Sequence, residues 1–431
     1  MLNECVIFIS PCALMEMEES ALKYVKSLGL STVIVMDDIN LLRVKADYII
    51  QADTGNAASI ITELVEFSKS HVIKGILTYS DYHVEVTALA NEYFGLRGTS
   101  YPAALTCKNK YLCRSKMCNI EVAHPKFKKI NTDEDMKLAL AEIGTPMVVK
   151  PINGLGSMFT SVISSSENVM GVFQSLKKSK SLSPFNKERA INDSWIAEGC
   201  LSGFQVSVES FTYDSVTTVI CVHDKLNEIL PPLFRVIYSG TPSERINLEL
   251  ERELISQTKS ILQEIEFENG IAHTEFRISS EGKIQLLEVN ARTGGGLIVP
   301  SAYYSTGINL YQVAVDIAIG QKPNISPVSK RRPVVFRVVY PDRAGKIREL
   351  RCGDGSSECD LVKVLEILSK TGDIVGEGQR LAMILMQGGM DDHVSSLVKK
   401  IDEVVASWNI AIEPTSKNIP LPKHVSNSAH K

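Results

Sequence analysis

The chain has 431 residues, with 46 Lys and Arg against 50 Asp and Glu, a formal charge of −4 at neutral pH and a pI near 6.1. That length accommodates two to four domains with ample core, and the balanced charge argues against a general nucleic-acid binder, which carries a marked basic excess. The nine cysteines are thinly spread with no C-x-x-C pair, so they read as reduced thiols rather than zinc ligands or a disulfide framework.

The opening, MLNECVIFISP, carries Glu4 and soon reaches Pro11, without the basic region and long apolar stretch of a signal peptide. No run approaches the length needed to span a bilayer. A soluble cytoplasmic protein is expected, with neither membrane nor nucleic acid as partner.

Residues 1–105 alternate strand and helix. CVIFIS (5–10), TVIVMDD (32–38), YIIQAD (48–53) and GILTYS (75–80) are short apolar runs, separated by helical patterns around 16–28, 56–70 and 83–94. Such alternation predicts a parallel α/β sheet with both faces covered. The turn SPCALME lacks G-x-G-x-x-G, so the unit is Rossmann-like without a dinucleotide fingerprint. GLRGTSYPAA (95–104) marks a boundary. A helix with Lys108, Lys110 and Arg114 follows, then strand, loop and strand over 145–164.

KKSKSLSPFNKE (177–188) is polar and aperiodic, and reads as a mobile surface loop. Residues 195–213 read as strand, kink and strand. Thr241-Pro242-Ser243-Glu244 fits a capping box with Pro at the first helical position, ahead of an amphipathic helix carrying Ile246, Leu250, Leu254, Ile261 and Ile265. A further helix is expected over 308–319. RPVVFRVVYP opens a small α+β region, 331–414, and the polar tail 415–431 is expected to be disordered.

The most informative pair is Glu275 and Glu288, in IAHTEFRI (271–278) and IQLLEVN (284–290). A two-residue turn at Glu281-Gly282 places Glu275 opposite Glu288 and His273 opposite Asn290. Opposed like charges destabilise a sheet. A divalent cation reverses that, and hard Mg²⁺ takes carboxylate oxygens together with nucleotide phosphates. A one-residue slip would send the two carboxylates to opposite faces. Asn290 adds a neutral oxygen, and Arg292 two positions on suits charge developing on a transferring phosphoryl group or oxyanion. Gly294-Gly295-Gly296 follows.

Lys150-Pro151-Ile152-Asn153-Gly154-Leu155-Gly156-Ser157 leaves a strand into a Gly-rich loop. Its N–H groups and Lys150 suit phosphates, although alone it reads equally as a hairpin turn. It is no Walker A loop. Glu198-Gly199-Cys200-Leu201 with Gln205 offers backbone edges for an adenine and a polar group for a ribose. Alone it reads better as a β-bulge. A lone Lys110 on a helix is usually solvated. His273 could contact substrate, orient a ligand or be structural. Arg235 could pair with a substrate carboxylate or sit on the surface.

Taken in order, Lys110, Lys150-Pro151 with its Gly-rich loop, Glu198, Glu275, Glu288-x-Asn290 and Arg292 resemble the ATP-grasp superfamily over nearly the whole chain. GILTYSDYHVEVTALANEYFGLRG (75–98), AHTEFR (272–277) and LEVNARTGGG (287–296) resemble its L-amino acid ligase branch, the bacilysin-type dipeptide synthetases. The resemblance implies a Rossmann-like leading domain (1–105), an ATP-grasp core of two α+β subdomains (106–330) and a small α+β C-terminal domain (331–414). It implies ATP phosphates on Lys110 and Lys150 with the loop Gly154, Gly156 and Ser157. It implies adenine on the main chain near Ala197–Leu201, with Glu198 at the hinge. Gln205 stands where a ribose-binding Glu is usual.

By the same likeness, Glu275, Glu288 and Asn290 would hold two Mg²⁺ ions, for which Mn²⁺ can substitute. Arg292 would stabilise the transition state, and Gly294, Gly295 and Gly296 would cradle a carboxylate substrate. The implied reaction is ADP-forming carboxylate–amine ligation through an acylphosphate, on amino acids or related natural-product intermediates, by a homodimer. The alternatives are a bicarbonate- or purine-directed ATP-grasp enzyme, a small-molecule kinase and a non-catalytic nucleotide-binding module.

Overall fold

The computed structural model describes all residues except 1, 11–14, 43, 155–156, 183–193, 230–233, 326–329, 354–359 and 415–431. The strands β1 (Asn3–Ile9), β2 (Ser31–Met36), β3 (Tyr48–Gln51) and β4 (His71–Leu77) form a parallel sheet in the order β3-β2-β1-β4. The unbroken apolar run Cys5–Ile9 is buried on both faces, as a central parallel strand requires. Cys5, Ile7 and Ile9 meet the helices Ala57–Ser68 and Val84–Phe94 through Ile60, Leu64 and Ala90. On the other face, Val6 and Phe8 meet Ala21, Leu22 and Val25 of the helix Met15–Ser27 and Leu310, Val313 and Ile317 of the helix Leu310–Ala318. The last helix approaches so closely that a Cβ on Gly75 would lie 2.6 Å from the Ala318 carbonyl oxygen.

Ser100 caps the helix Tyr101–Lys108 through the Ala103 N–H, and Asn109 caps the helix Lys110–Met117 through the N–H groups of Tyr111 and Leu112. The expected single helix is therefore two, and the break at Asn109 separates Lys108 from Lys110. The strands β5 (Phe127–Ile130), β6 (Met147–Pro151), β7 (Ser161–Ile163) and β8 (Trp195–Gly199) form an antiparallel sheet in the order β5-β8-β6-β7. Helices Asp133–Ile143 and Val169–Leu182 cover it.

The remaining strands are β9 (Phe204–Tyr213), β10 (Val216–Lys225), β11 (Tyr238–Thr241), β12 (Gly270–Ile278), β13 (Ile284–Asn290), β14 (Val334–Val339), β15 (Gly345–Arg351), β16 (Val362–Ile367), β17 (Ile374–Val375), β18 (Ala382–Gln387) and β19 (Asn409–Pro414). Eight of them make one sheet, β13-β12-β9-β10-β11-β14-β18-β16, and β17-β15-β19 make a small one. The boundary expected at residue 331 thus falls inside a continuous hydrogen-bonded sheet, where β11 pairs with β14 from Tyr238↔Arg337 to Thr241↔Val334.

Two expectations need correction. Thr241 is the last residue of β11, and the helix begins only at Leu248, capped by Asn247 through the Leu250 N–H. Ladder pairing held Thr241 in the strand, and Asn247 offers a better-placed cap. Residues 177–182 belong to the helix Val169–Leu182. Lys177 there pairs with Asp133 at 2.7 Å and lies over the Phe173 ring, while Lys180 lies over Trp195. Lysine stems on aromatic faces replace the missing apolar stripe. The rest of that expected loop, the expected disordered tail and Gly156 lie outside the described residues.

Candidate active site

One face of the large sheet carries the chemistry. His273 pairs with Asn290 on one side and Glu209 on the other, and Glu275 pairs with Glu288 and Ser207. Next across the sheet, Cys221 lies beside Glu209 and His223 beside Ser207. The alternate residues Val206, Val208, Val222, Ala272, Phe276 and Val289 fill the hydrophobic cluster on the opposite face.

The carboxylates face each other as the sequence predicts, by a different route. The hairpin closes at Ser279 and Lys283, around a three-residue loop ending in Gly282 with φ +80°. That loop pairs Phe276 with Leu286 and would, if continued, place Glu275 opposite Leu287. A bulge between Glu275 and Phe276 absorbs Leu287 and restores Glu275↔Glu288. The bulged Leu287 carbonyl accepts from Arg114 Nη2 at 2.7 Å.

Each carboxylate has a counter-charge. His273 lies between Glu209 (2.7 Å from Nδ1) and Glu275 (3.2 Å from Nε2). Burial opposes charge on the ring, but the two carboxylates prevail and raise its pKa to about 9. Burial likewise works to raise Glu275, yet His273, Lys225 and Arg292 hold it at about 2. Both ring nitrogens of His273 face carboxylates, which gives this side chain an orienting place. Neighbouring His223 is driven down to about 3 by burial and is neutral. Glu288 pairs with Lys110 Nζ at 2.9 Å, and the same ammonium donates to the Gly154 carbonyl at 2.7 Å. Lys110 thereby ties the Gly-rich loop to the hairpin.

Glu198 is buried between Arg114 (2.9 Å) and Lys150 (2.6 Å). Burial pushes its pKa up, but the two cations overcome it and hold it at about 2. The Glu198 side chain, through Arg114, therefore clamps the β5-β8-β6-β7 sheet to the hairpin. At the hinge beyond it, Gly199 N–H donates to the Lys126 carbonyl and Cys200 N–H to that of Pro146, and Leu201 begins the link into β9. Gly203 kinks that link at φ +94°. A Cβ there would sit 1.9 Å from the Ile278 carbonyl oxygen, so only glycine fits. Gln205 follows, buried and paired with Arg277.

Arg292 Nη1 donates to the Thr293 carbonyl at 2.7 Å, and Nε lies 3.6 Å from Asp81, just beyond β4. Burial favours neutral Asp81, but Arg292, Lys108 and Lys110 outweigh it and lower its pKa. Gly294 folds over His273: a Cβ there would lie 2.8 Å from Nδ1 and 2.4 Å from Ile298 Cγ2. A Cβ on Gly295 would meet nothing within 4 Å, and Gly296 adopts φ +65°. Ser157 sits at the loop mouth with φ +59°. Arg235 stands apart from the carboxylate hairpin in its contacts, 3.9 Å from Glu377 and over the Tyr340 ring.

Asp81, Glu209, Lys225 and the pairing role of Arg114 were not singled out from the sequence. The signals were present: charges inside apolar strands at Glu209 and Lys225, and an acid just past the carboxyl end of a parallel strand at Asp81, where α/β ligand sites gather. Among the described residues no group of three His, Cys, Asp or Glu side chains could hold a metal by itself, and no helix is long and apolar enough to cross a membrane. Two carboxylates and an amide oxygen suit a cation that completes its shell with phosphate and water.

Residues 143–301 match the ATP-grasp domain. The chain is similar to amino acid ligases. It is 26% identical over 271 residues to the alanine–anticapsin ligase of Bacillus subtilis, covering 60% of this chain and 56% of that enzyme. It is 23% identical over 363 residues to the L-arginine-specific L-amino acid ligase of Bacillus subtilis, covering 82% and 86%. An L-amino acid ligase from Bacillus licheniformis has the same fold, with TM-score 0.79 at 18% identity over 96% of this chain and all of that one. The match to the alanine–anticapsin ligase thus spans little more than half of that relative's length.

Proposed function

We propose that this protein is an ATP- and Mg²⁺-dependent ligase joining the carboxylate of one amino acid, or amino-acid-like intermediate, to the amine of another. The observation that carries the reading is the register of Glu275, Glu288 and Asn290 on one sheet face, with Arg292 and Lys110 beside them. The amino acid ligases among its relatives support the substrate class.

Free carboxylate is a poor acyl donor because oxide is a poor leaving group. The donor carboxylate oxygen therefore attacks the γ-phosphorus of ATP, the bond to the β-γ bridging oxygen breaks, and ADP leaves. The acceptor amine then attacks the acyl carbon of the acylphosphate, and phosphate departs from a tetrahedral intermediate as the nitrogen loses a proton. Glu275, Glu288 and Asn290 would hold two Mg²⁺ ions, for which Mn²⁺ can substitute. When bound, these neutralise phosphate charge. The phosphates are assigned to Lys110 and Lys150 with Gly154, Gly156 and Ser157. The main chain of 197–201 takes the adenine, with Glu198 fixing the hinge, and Gln205 the ribose hydroxyls. Arg292, aimed by Asp81, meets the charge that develops on the acyl phosphate.

Gly294–Gly296 leave room for the donor, and His273 holds Glu275 in place. Arg235 is assigned to the substrate side. Residues 1–105, 106–330 and 331–414 serve as leading, catalytic and C-terminal units, and the protein works as a cytoplasmic homodimer.

The test is phosphate release over pairs of amino acids with ATP and Mg²⁺, followed by product mass. Amine-dependent release with a product heavier by the second amino acid less water is expected. Phosphorylation of a stable acceptor without an amine would convert the reading to a kinase. No nucleotide turnover under any pairing would sink it.

A further inference from the structure

Ligation of two amino acids raises a demand that the metal carboxylates and Arg292 do not meet. Both substrates carry a carboxylate, and only the donor's is to reach the phosphoryl group. The acceptor's must be held elsewhere by a cation, or it competes for activation. The structure has such a cation on the far side of the glycine loop. Arg380 lies two residues before β18. Its backbone is fixed by Leu381 N–H to the Val339 carbonyl (2.8 Å) and by Ser369 Oγ to its own carbonyl (3.3 Å).

The Arg380 guanidinium reaches back to the glycine loop, with Nη1 3.9 Å from where a Gly296 Cβ would stand. Its Nε is buried and has no hydrogen-bond partner among the described residues. Lys225, buried at the end of β10, feels the carboxylates of Glu275, Glu209 and Asp224 most strongly and is also near enough to Arg380 for the two cations to repel. A buried guanidinium N–H without an acceptor is costly, and more so beside a second cation. An anion seated there relieves the cost at Arg380. A guanidinium suits a carboxylate best because its fork donates two parallel hydrogen bonds.

We infer that Arg380, with Lys225 beside it, binds the α-carboxylate of the amino acid that supplies the attacking amine. The assignment rests on the ligase reading and makes the C-terminal region a determinant of acceptor specificity. It also predicts that the free α-carboxylate is a requirement for a good acceptor.

The experiment compares an accepted acceptor amino acid with its carboxamide, at saturating donor and Mg·ATP, in the full-length wild type and in Arg380→Gln and Arg380→Lys. Wild type is expected to prefer the acid by at least tenfold in kcat/KM. Arg380→Gln is expected to raise KM for the acid by about 100-fold, the scale of a lost charged bidentate contact. KM for the carboxamide and the Kd for ATP should stay within about twofold, with Arg380→Lys intermediate. Equal use of acid and carboxamide by wild type would overturn the assignment, whatever the folding of the variants. So would an Arg380→Gln enzyme that loses both acceptors alike, or neither. Wild type without amine-dependent phosphate release on any pair would sink the ligase reading and this assignment with it. Wild-type ligation with an indifferent Arg380→Gln would sink the assignment alone.

Discussion

Glu198 shows how much a single buried charge can bind together. Its carboxylate holds Lys150 on β6 and Arg114 on the helix Lys110–Met117, and Arg114 in turn holds the bulged carbonyl of Leu287 beside Glu288. Removing one partner from such a buried cluster leaves charge uncompensated, at a cost of about 3–5 kcal/mol. Glu198→Gln is therefore expected to destabilise the fold by about 3 kcal/mol at neutral pH. The pKa near 2 lies below the ordinary 4.5, so this stabilisation is present above about pH 4.5 and is lost as pH falls toward 2. Thermal melts should show the wild-type advantage over Glu198→Gln constant from pH 7 to 5 and shrinking below 4.5. Arg292 has the opposite character in the proposed reaction, which gives it a role in turnover and not in the fold. Arg292→Ala should abolish amine-dependent ADP release while calorimetry finds ATP binding nearly intact. Lost ATP binding with normal turnover of the bound fraction would contradict that role.

The hairpin of β12 and β13 depends on two compensating irregularities. A three-residue loop moves the register by one, and the bulge at Leu287 moves it back, so both carboxylates end on the same face. The glycine segment that follows sits over His273, and two of its positions make contrasting demands. Gly294→Ala is expected to push the loop off His273 and Ile298, cutting kcat/KM by more than tenfold, because its Cβ would meet atoms at 2.4 and 2.8 Å. Gly295→Ala meets nothing within 4 Å. It should keep the melting temperature and ATP affinity of wild type while raising KM for bulky donor acids. Equal effects of the two substitutions on a panel of acids would remove the loop from the substrate site.

Across the whole molecule, the last strands complete the sheet on which the site is built. Leu297 and Ile298, at the start of the helix after the glycines, pack on Val334, Phe336, Val338, Met383 and Leu385. Tyr238 of β11 donates to Asp402 of the helix Val394–Ala406 at 2.6 Å. Ending the chain at residue 330 strips the partner from β11 and uncovers that apolar face. Such a truncation should bind a hydrophobic dye, aggregate on gel filtration and show no nucleotide-dependent rise in melting temperature. A monodisperse truncation that binds ATP would show that the core stands without the C-terminal strands.

Most of this architecture was legible in the sequence because its signals are local. Continuous apolar runs gave the parallel strands of residues 1–105, and period-two alternation put Glu275, Glu288 and Asn290 on one face. The aromatic-supported helix at 177–182 and the strand pairing of Thr241 were not legible, since each depends on a partner distant in the chain. The same holds at the site. Residue types and spacing pointed to the carboxylate pair, the neighbouring cations and the glycine loop, while the bulge that sets the pair's register was visible only in the structure. Only the tertiary structure decided that Glu198 clamps Arg114 and Lys150, that Asp81 from the leading sheet meets Arg292, and that Arg380 reaches Gly296. Charge pairing acts through space and in low dielectric, so its partners are chosen by how sheets and helices pack, not by their order along the chain.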